Sequence, residues 1–322
     1  MKHLCYKNKP IGSLDSLARA LNISVSKLLE VAENTEIFYI PNKPKIKPGK
    51  IRQTYAVNEP LHSIQDNILE KIISGVEFPE FLQGSIRDLN FPRDYVRNAS
   101  IHAGSEILLK EDISSFFSST RMKLVYRMWK CFFDFPHEVA EVLTKLTTYK
   151  DFVPEGAPTS PAIANMVFWD CEPKLEYDLR QKGYIYTRYV DDITVSFESR
   201  LKKKEIQGIT TKIYGMFIGA GLKPNRKKRD VQTKSGKMTV HKLNVNSGKP
   251  TLSRIERSKI RAAVKEFETL TQSATSWEEI EKSYNKVNGR VNLMKRLHPN
   301  EAQKYIEKIK AVKKRVMSHD IE

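Results

Sequence analysis

Two adjacent carboxylates, Asp191 and Asp192, interrupt an apolar run, TRYVDDITVSF at 187–197. Neighbouring side chains of a continuous strand point to opposite faces, so two Asp residues there could not share one site. A two-residue hairpin turn would place both at its tip, because Asp tolerates turn geometry and strand-forming residues flank the pair. The residues after the turn, Ile193, Val195 and Phe197, would then face the core. The alternative is an ordinary solvated turn.

A third carboxylate changes the balance between these alternatives. Asp112 stands 79 residues before Asp191, at the end of another apolar strand in ILLKEDISSFF. A strand that ends in Asp beside a hairpin tipped with Asp-Asp gathers three like charges in a small volume. Divalent cations would compensate them, and an all-oxygen ligand set suits Mg²⁺. Two such ions can activate a hydroxyl and stabilise a departing pyrophosphate.

The elements that must position these carboxylates alternate without a regular βαβ repeat. The sequence therefore predicts an α+β fold with an antiparallel central sheet. Strands are predicted at 52–57, 105–113, 184–190, 193–197 and 238–246. Helices are predicted at 61–76, 119–150, 164–183, 206–220 and from about 253 to the end. A lysine- and proline-rich loop or hairpin tip at 41–50 marks a boundary.

The N-terminal segment has helical spacing on both sides of a short turn. Ser13 is predicted to cap a first helix, and Ser24 or Ser26 a second, joined by Leu21-Asn22-Ile23. Such a pair is usually a packing unit, and a DNA-reading helix-turn-helix is the alternative.

The strongest compositional feature is charge. The chain has 55 Lys and Arg against 38 Asp and Glu, a net charge of +17. Clusters at 201–205 and 224–230 favour a surface that follows the phosphates of a nucleic acid, the alternative being a generic solubilising surface. The three cysteines form no CxxC pair. With no long apolar run and no signal-peptide pattern at the start, a cytoplasmic protein is expected.

These motifs resemble those of a known enzyme family. YVDD at 189–192, with Asp112 in DISSFF, is similar to the active site of reverse transcriptases. VPEGAPTSP (153–161) resembles the segment that packs against template and incoming nucleotide. GLKPNRKKRD (221–230) resembles the segment whose lysine approaches the nucleotide phosphates. NASIH (98–102) matches an NAxxH element of the bacterial retron reverse transcriptases, which the chain resembles most.

The resemblance implies a right-hand polymerase architecture of fingers, palm and thumb. Its expected divisions are a helical segment at 1–40, fingers and palm at 41–235, and a palm-edge strand with a basic helical thumb at 236–322. The implied activity is RNA-directed DNA synthesis on a cognate structured noncoding RNA, primed from an RNA 2′-hydroxyl. Its branched RNA–DNA product (msDNA) would serve anti-phage defence together with a neighbouring effector protein. The alternatives are a group II intron or diversity-generating reverse transcriptase, or a non-catalytic RNA-binding protein with a polymerase-like shell.

The resemblance also assigns roles to individual residues. Asp112, Asp191 and Asp192 are the expected catalytic residues, and with the Ile113 carbonyl they would bind two Mg²⁺ ions, for which Mn²⁺ can substitute. The expected nucleotide-binding residues are Arg52, Arg87, Phe117, Gly156 and Lys228. The expected RNA- or DNA-binding residues are Asn98, His102, Tyr189, Lys242, Arg254, Arg257, Arg290, Lys295 and Arg296.

Each of these assignments has a structural alternative. Phe116, beside Phe117, should point into the core, and both rings could be core residues. Arg52 and Arg87 could each be surface-exposed or salt-bridged. Asn98 and His102 could be buried hydrogen-bonding residues. The basic helical faces of the tail could be solvated surface.

The chain departs from the family pattern at two places. Glu155 stands where the family usually has Gln, so an amide donor beside the template is lost. Val240-His241-Lys242 stands where the group usually has VTG, so a small residue is replaced by a cation.

Overall fold

The protein is described from a computed structural model that covers residues 3–47, 50–88, 91–272, 274 and 276–319. Its contacts divide the chain into two units. We call residues 1–98 and 106–233 the sheet unit, and residues 99–105 and 234–322 the helical unit. In the described ranges, none of the helices combines the length and the apolar character needed to cross a membrane.

The strands are β1 (Cys5–Tyr6), β2 (Tyr39–Pro41), β3 (Lys45–Lys47), β4 (Lys50–Arg52), β5 (Tyr55–Val57), β6 (Val76–Glu77), β7 (Leu82–Gln83), β8 (Ile107–Asp112), β9 (Ile185–Tyr189), β10 (Asp192–Phe197), β11 (Asp230–Thr233), β12 (Thr239–Val240) and β13 (Leu243–Asn244). The helices are α1 (Leu14–Ala20), α2 (Val25–Glu33), α3 (Leu61–Asn67), α4 (Tyr95–Ile101), α5 (Phe116–Ser119), α6 (Met122–Arg127), α7 (His137–Thr147), α8 (Ser160–Met166), α9 (Glu172–Arg180), α10 (Lys203–Gly219), α11 (Arg254–Leu270), α12 (Trp277–Leu297) and α13 (Pro299–His319).

The central sheet of the sheet unit has the strand order β11-β8-β10-β9-β7. The predicted antiparallel pairing holds for β11 with β8, β8 with β10, and β10 with β9. The short strand β7 differs, because it pairs parallel with β9. The strands β8 and β10 lie inside the sheet and are buried nearly throughout, although half of the residues in each are polar or charged.

The core of the sheet unit lies between this sheet and the helices packed against it. Ile193, Val195 and Phe197 of β10 are buried as predicted. Away from the sheet, Trp129 packs on two phenylalanine rings at centroid distances of 4.6 and 6.2 Å. This apolar body provides a rigid base for the sheet, so groups placed at the strand ends are held firmly.

One long helix predicted at 164–183 is in fact two helices, α8 and α9, with a break between them. Pro173 lies in the first turn of α9. Proline lacks an amide hydrogen, so it suits the start of a helix and not its interior. The predicted continuous helix was therefore wrong, because the helical spacing of apolar residues continues on both sides of Pro173 although the helix itself does not.

The N-terminal segment follows the prediction closely. Ser13 accepts a hydrogen bond from the amide of Ser16 at the start of α1, and Ser24 caps α2 through the amide of Lys27. In the predicted hairpin at 41–50, strands β3 and β4 pair, while residues 48 and 49 at its tip lie outside the described residues.

The helical unit is built around α11, α12 and α13, as predicted for the basic tail. Apolar residues of all three helices are buried, among them Val264, Val291 and Val316. The predicted strand at 238–246 is instead a hairpin of β12 and β13. His241 and Lys242 form its turn at φ +48° and +68°, a two-residue geometry that asparagine and glycine adopt most readily.

Gly156 fixes the contact between β5 and the segment at 153–161. It has φ +112°, and a Cβ added there would lie 2.5 Å from the Tyr55 carbonyl oxygen. The Tyr55 amide donates to the Glu155 carbonyl at 2.8 Å. Only a residue without a side chain permits this backbone approach.

We therefore expect Gly156→Ala to lower the free energy of unfolding by about 2 kcal/mol, because both the left-handed φ and the clash with Tyr55 oppose a Cβ. Chemical denaturation measures the change. Gly208→Ala is the matched control, since Gly208 lies inside α10 with open space around it, and alanine should stabilise a helix there by about 0.5–1 kcal/mol. Equal effects of the two substitutions would contradict the proposed close approach.

Candidate active site

The structure brings the three predicted carboxylates to one end of the central sheet. Asp112 ends β8 and Asp192 begins β10, and the two residues are direct partners across the antiparallel pair. Side chains of directly opposed residues lie side by side, with Cβ atoms about 4.5–5.5 Å apart. Asp191 adjoins them in the turn, and its carbonyl accepts from the Ile113 amide at 3.2 Å.

The turn itself differs by one residue from the prediction. Strand pairing continues to Tyr189 and Asp192, so the two-residue loop is Val190-Asp191 and not the Asp pair. Val190 has φ +58°, a left-handed conformation that a β-branched residue rarely adopts. Such strain persists only where surrounding contacts hold it.

Asp112 is buried, and polar groups from the segment after α10 hold it in place. Its backbone carbonyl accepts from the amide of Asn225 at 2.8 Å. Its two carboxylate oxygens accept from the Asn225 side chain, at 2.9 Å, and from the Lys228 ammonium. Lys228 therefore compensates the buried charge of Asp112.

The neighbouring Glu111 is held on the opposite face of β8. Three side chains donate to its carboxylate at 3.0–3.2 Å: Thr210, Tyr214 and Arg229. Burial raises the pKa of Glu111, and these donors oppose that shift. Since Lys228 and Arg229 are adjacent, two consecutive cations bind two consecutive carboxylates on the two faces of one strand.

The electrostatics of the site favour binding of a cation. Asp192 is exposed to solvent on one side, yet surrounding protein and the charges of Asp191 and Asp112 raise its carboxyl pKa to about 6. In the described part of the chain, no three acidic, His or Cys side chains are close enough to hold an ion without rearrangement. The all-carboxylate donor set itself fits a hard divalent ion.

Besides Lys228, a second predicted nucleotide-binding residue, Arg52, lies beside this site. Arg52 forms an ion pair with Glu155, the residue that replaces the usual glutamine. The Glu155 hydrogen bond raises the pKa of Arg52, and the charge of Asp191 adds to the shift. The structure thus contains the salt-bridged Arg52 that was the predicted alternative, and Arg52 also interacts electrostatically with the carboxylate of Asp191.

The other nucleotide-side candidates have mixed surroundings. Phe116 is buried, as expected, and Phe117 is half-buried. The expectation assumed that side chains alternate along a strand, but both residues lie on the short helix α5. The reason for their different burial is therefore helical and not strand geometry. Arg87 is exposed.

The candidates for contact with nucleic acid divide into buried and exposed groups. Asn98 and His102 are fully buried, so the structure favours the hydrogen-bonding role over direct contact. Tyr189 is half-buried, and its ring packs so closely on Gly84 that a Cβ there would lie 2.8 Å from it.

The basic candidates of the helical unit are largely exposed. The exposed side chains are those of Lys242, Arg254, Arg290, Lys295 and Arg296. Arg257 instead forms an ion pair with Glu301 at 2.8 Å. A hydrogen bond from Lys259 lowers the pKa of Glu256, and the charges of Lys242 and Arg290 add to the shift, so these cations share one neighbourhood.

Several residues that shape the site were not predicted from the sequence. Asn225 and Glu111 lie within quoted motifs, but their partners come from distant segments. Arg188 and Glu172 form a fully buried ion pair behind the turn. One sequence feature could have indicated this pair: Arg188 stands within a strand, YIYTRYV, whose other residues are typical of a buried strand.

Three carboxylates on adjoining ends of paired strands, with a lysine bonded to one of them, favour the palm of a metal-dependent nucleotide polymerase. Comparison with family models agrees with this class. Residues 7–247 match the reverse transcriptase (RNA-dependent DNA polymerase) model.

Several reverse transcriptases similar to this chain over most of its length are named as retron enzymes. Retron Ec48 reverse transcriptase of Escherichia coli is 31% identical over 326 residues, covering 98% of this chain and 79% of that protein. Retron Se72 reverse transcriptase of Salmonella heidelberg is 30% identical, covering 91% and 77%. Retron Ec86 reverse transcriptase of E. coli is 26% identical, covering 79% and 78%. A telomerase structure from Candida albicans covers 90% of this chain and 58% of its own chain, at 10% identity and a TM-score of 0.47.

The chain therefore belongs to the reverse transcriptase family of RNA-directed DNA polymerases. Within that family it groups with the retron reverse transcriptases, as the NASIH motif indicated. The expected right-hand polymerase fold, with mixed helix and sheet, is confirmed.

The buried His102 gives a prediction for pH. Burial, with a smaller effect of the His241 charge, lowers the pKa of His102 to about 3, below the value of about 6.5 in an unfolded chain. The unfolded chain alone takes up this proton between those values, so stability falls as pH drops below about 6.5, by about 1.4 kcal/mol per pH unit.

Denaturation at pH 7, 6 and 5 measures this slope, and His102→Gln should make it shallower by that amount. His3→Gln is the control, because His3 is exposed, and its slope should match the wild type. Identical slopes for His102→Gln and wild type would show that His102 is not held neutral.

Proposed function

We propose that this reverse transcriptase copies part of a cognate structured noncoding RNA into DNA, starting from a 2′-hydroxyl of that RNA. The product would be a branched RNA–DNA molecule made in the cytoplasm, which acts in anti-phage defence with an effector protein encoded nearby. Similarity to retron reverse transcriptases over nearly the whole chain supports this biological role. The observation that carries its chemistry is the direct pairing of Asp112 with Asp192, next to Asp191.

The three carboxylates are the proposed ligands of two Mg²⁺ ions, with the Ile113 carbonyl as an additional ligand and Mn²⁺ as a substitute. Bound there, the ions would activate the attacking hydroxyl and stabilise charge on the leaving pyrophosphate. The hydroxyl attacks the α-phosphate of a dNTP, so one phosphodiester bond forms as the bond to pyrophosphate breaks. The rigid pairing of β8 with β10 contributes fixed positions for these charges.

The incoming nucleotide would be held by cations that already lie at the site. Lys228 is our candidate for neutralising the triphosphate, because its ammonium is bonded to Asp112. Arg52, oriented by Glu155, and the exposed Arg87 would grip phosphate with bidentate geometry. Phe117 would exclude a ribose 2′-hydroxyl, and Gly156 would allow the backbone to approach the nucleotide.

RNA recognition would fall largely to the helical unit. Its exposed cations suit binding to the backbone of an A-form or hybrid duplex, which is recognised more by shape than by sequence. Lys242 and Arg290 both lie near Glu256 and are the central candidates. The further candidates in the same unit are Arg254, Lys295 and Arg296. Arg257 would have to leave Glu301 to take part. Tyr189 would pack beside the primer end.

Asp191→Asn tests the catalytic assignment. Loss of one carboxylate charge from the proposed ion site should reduce DNA synthesis in a primer-extension assay with Mg²⁺ and dNTPs by at least about 100-fold. Asp66→Asn is the matched control, because Asp66 is exposed on α3, and it should retain activity within about twofold. Equal activity of Asp191→Asn and wild type would exclude the proposed role.

Nucleic acid that copurifies with the protein tests the biological role. We expect a branched species in which DNA starts from an internal RNA 2′-hydroxyl, detectable by sequencing before and after treatment with a debranching enzyme. Protein carrying Asp191→Asn should copurify with the same RNA but without attached DNA. Unbranched cellular RNA in both samples would count against the retron function while leaving the polymerase assignment to the primer-extension assay.

A further inference from the structure

Arg188 is a charged side chain buried completely inside the sheet unit. An arginine has five N–H donors, and here every one has a partner. Two donate to the two carboxylate oxygens of Glu172, both at 2.7 Å. The other three donate to backbone carbonyls: those of Ala164 at 3.1 Å, Asn165 at 3.0 Å and Val190 at 3.0 Å. Arg188 thus has a single arrangement that satisfies all its donors.

These partners connect the carboxylate turn to two helices. Ala164 and Asn165 lie in the last turn of α8, where backbone carbonyls lack helical partners, and Glu172 begins α9. Glu172 also accepts from the Tyr186 hydroxyl at 2.7 Å. The guanidinium therefore joins the end of one helix, the start of the next and the catalytic turn through rigid hydrogen bonds.

The bond to Val190 bears directly on the site geometry. The carbonyl of Val190 belongs to the peptide group that precedes Asp191, so fixing it fixes the direction of the Asp191 backbone. The next carbonyl, that of Asp191, accepts from the Ile113 amide. Both carbonyls of the two-residue loop are thus held by donors, while Val190 keeps its unfavourable φ of +58°.

We propose that the buried Arg188–Glu172 pair is a positioning device that holds the strained turn in the geometry that metal binding requires. This rests on the proposed metal role of Asp191 and Asp192. A buried ion pair contributes little net stability compared with apolar residues of similar volume. The saturated hydrogen bonds of Arg188 instead fix one orientation of the turn. A purely structural ion pair is the alternative.

Two sets of variants separate these roles. Arg188→Lys keeps the charge opposite Glu172 but cannot reach all three carbonyls. Arg188→Met combined with Glu172→Met removes both charges, so no unpaired charge stays buried and folding is preserved even if Arg188→Lys unfolds. Arg180→Met is the control, because Arg180 pairs with Glu176 within α9 and lies in an exposed position.

The measurements are kcat and the dNTP KM by primer extension, and amide hydrogen exchange of residues 190–193 in the metal-free protein. We expect kcat to fall roughly 10- to 100-fold in both folded Arg188 variants, with the dNTP KM changed less than about threefold. The amides of the turn should exchange roughly tenfold faster. Arg180→Met should match the wild type in all three.

Val190→Gly distinguishes a positioning role of Arg188 from a purely structural role. Glycine adopts the left-handed φ without penalty, so adding Val190→Gly to an Arg188 variant should recover kcat by at least about threefold. The proposal is overturned if folded Arg188 variants keep kcat within about twofold of wild type. A loss of kcat with unchanged exchange and no recovery by glycine also overturns it. Asp191→Asn is assayed in parallel. If Asp191→Asn is as active as the wild type, the proposed metal role of Asp191 is wrong. If Asp191→Asn is inactive while the Arg188 variants are active, only the positioning role of Arg188 is wrong.

Discussion

Repulsion among three carboxylates at the end of two paired strands is the constraint on which the rest of the structure depends. Like charges placed side by side oppose ionisation. Burial, together with the charges of Asp191 and Asp112, raises the pKa of Asp192 to about 6. The protein compensates in part with its own cation Lys228, which lies on Asp112, while Arg229 pairs with Glu111 on the opposite face of β8. Divalent ions bound during DNA synthesis would complete the compensation.

The fold makes this arrangement rigid. The strands β8 and β10 are interior strands of the sheet, so the positions of Asp112 and Asp192 are fixed by register, and a slip by one residue would turn Asp192 away. Only the turn residue Asp191 lies outside regular pairing, next to the strained Val190. The buried guanidinium of Arg188 lies behind that turn and donates a hydrogen bond to the carbonyl of Val190.

The sequence alone predicted the parts that depend on local chemistry. The three carboxylates, the hairpin, the capping serines and the basic helical tail follow from motif, turn and cap preferences. The register of the hairpin did not, because YVDD is compatible with either pair of residues in the turn. The pairing of Asp192 with Tyr189, and with Asp112 of the distant strand β8, decides between them. The break between α8 and α9 was missed because helical spacing continues through it. The contacts of Arg188 with Glu172, Asn225 with Asp112, and Glu155 with Arg52 join distant segments, and no local pattern encodes them.

The most direct measurement is crystallography of the protein soaked with Mn²⁺ and a dNTP, with anomalous scattering recorded at the manganese edge. The account predicts two anomalous peaks about 3.5–4 Å apart, in contact with the carboxylates of residues 112, 191 and 192. The same experiment with Asp112→Asn should lose at least one peak. Peaks elsewhere, or none at these carboxylates while dNTP is bound, would contradict the account.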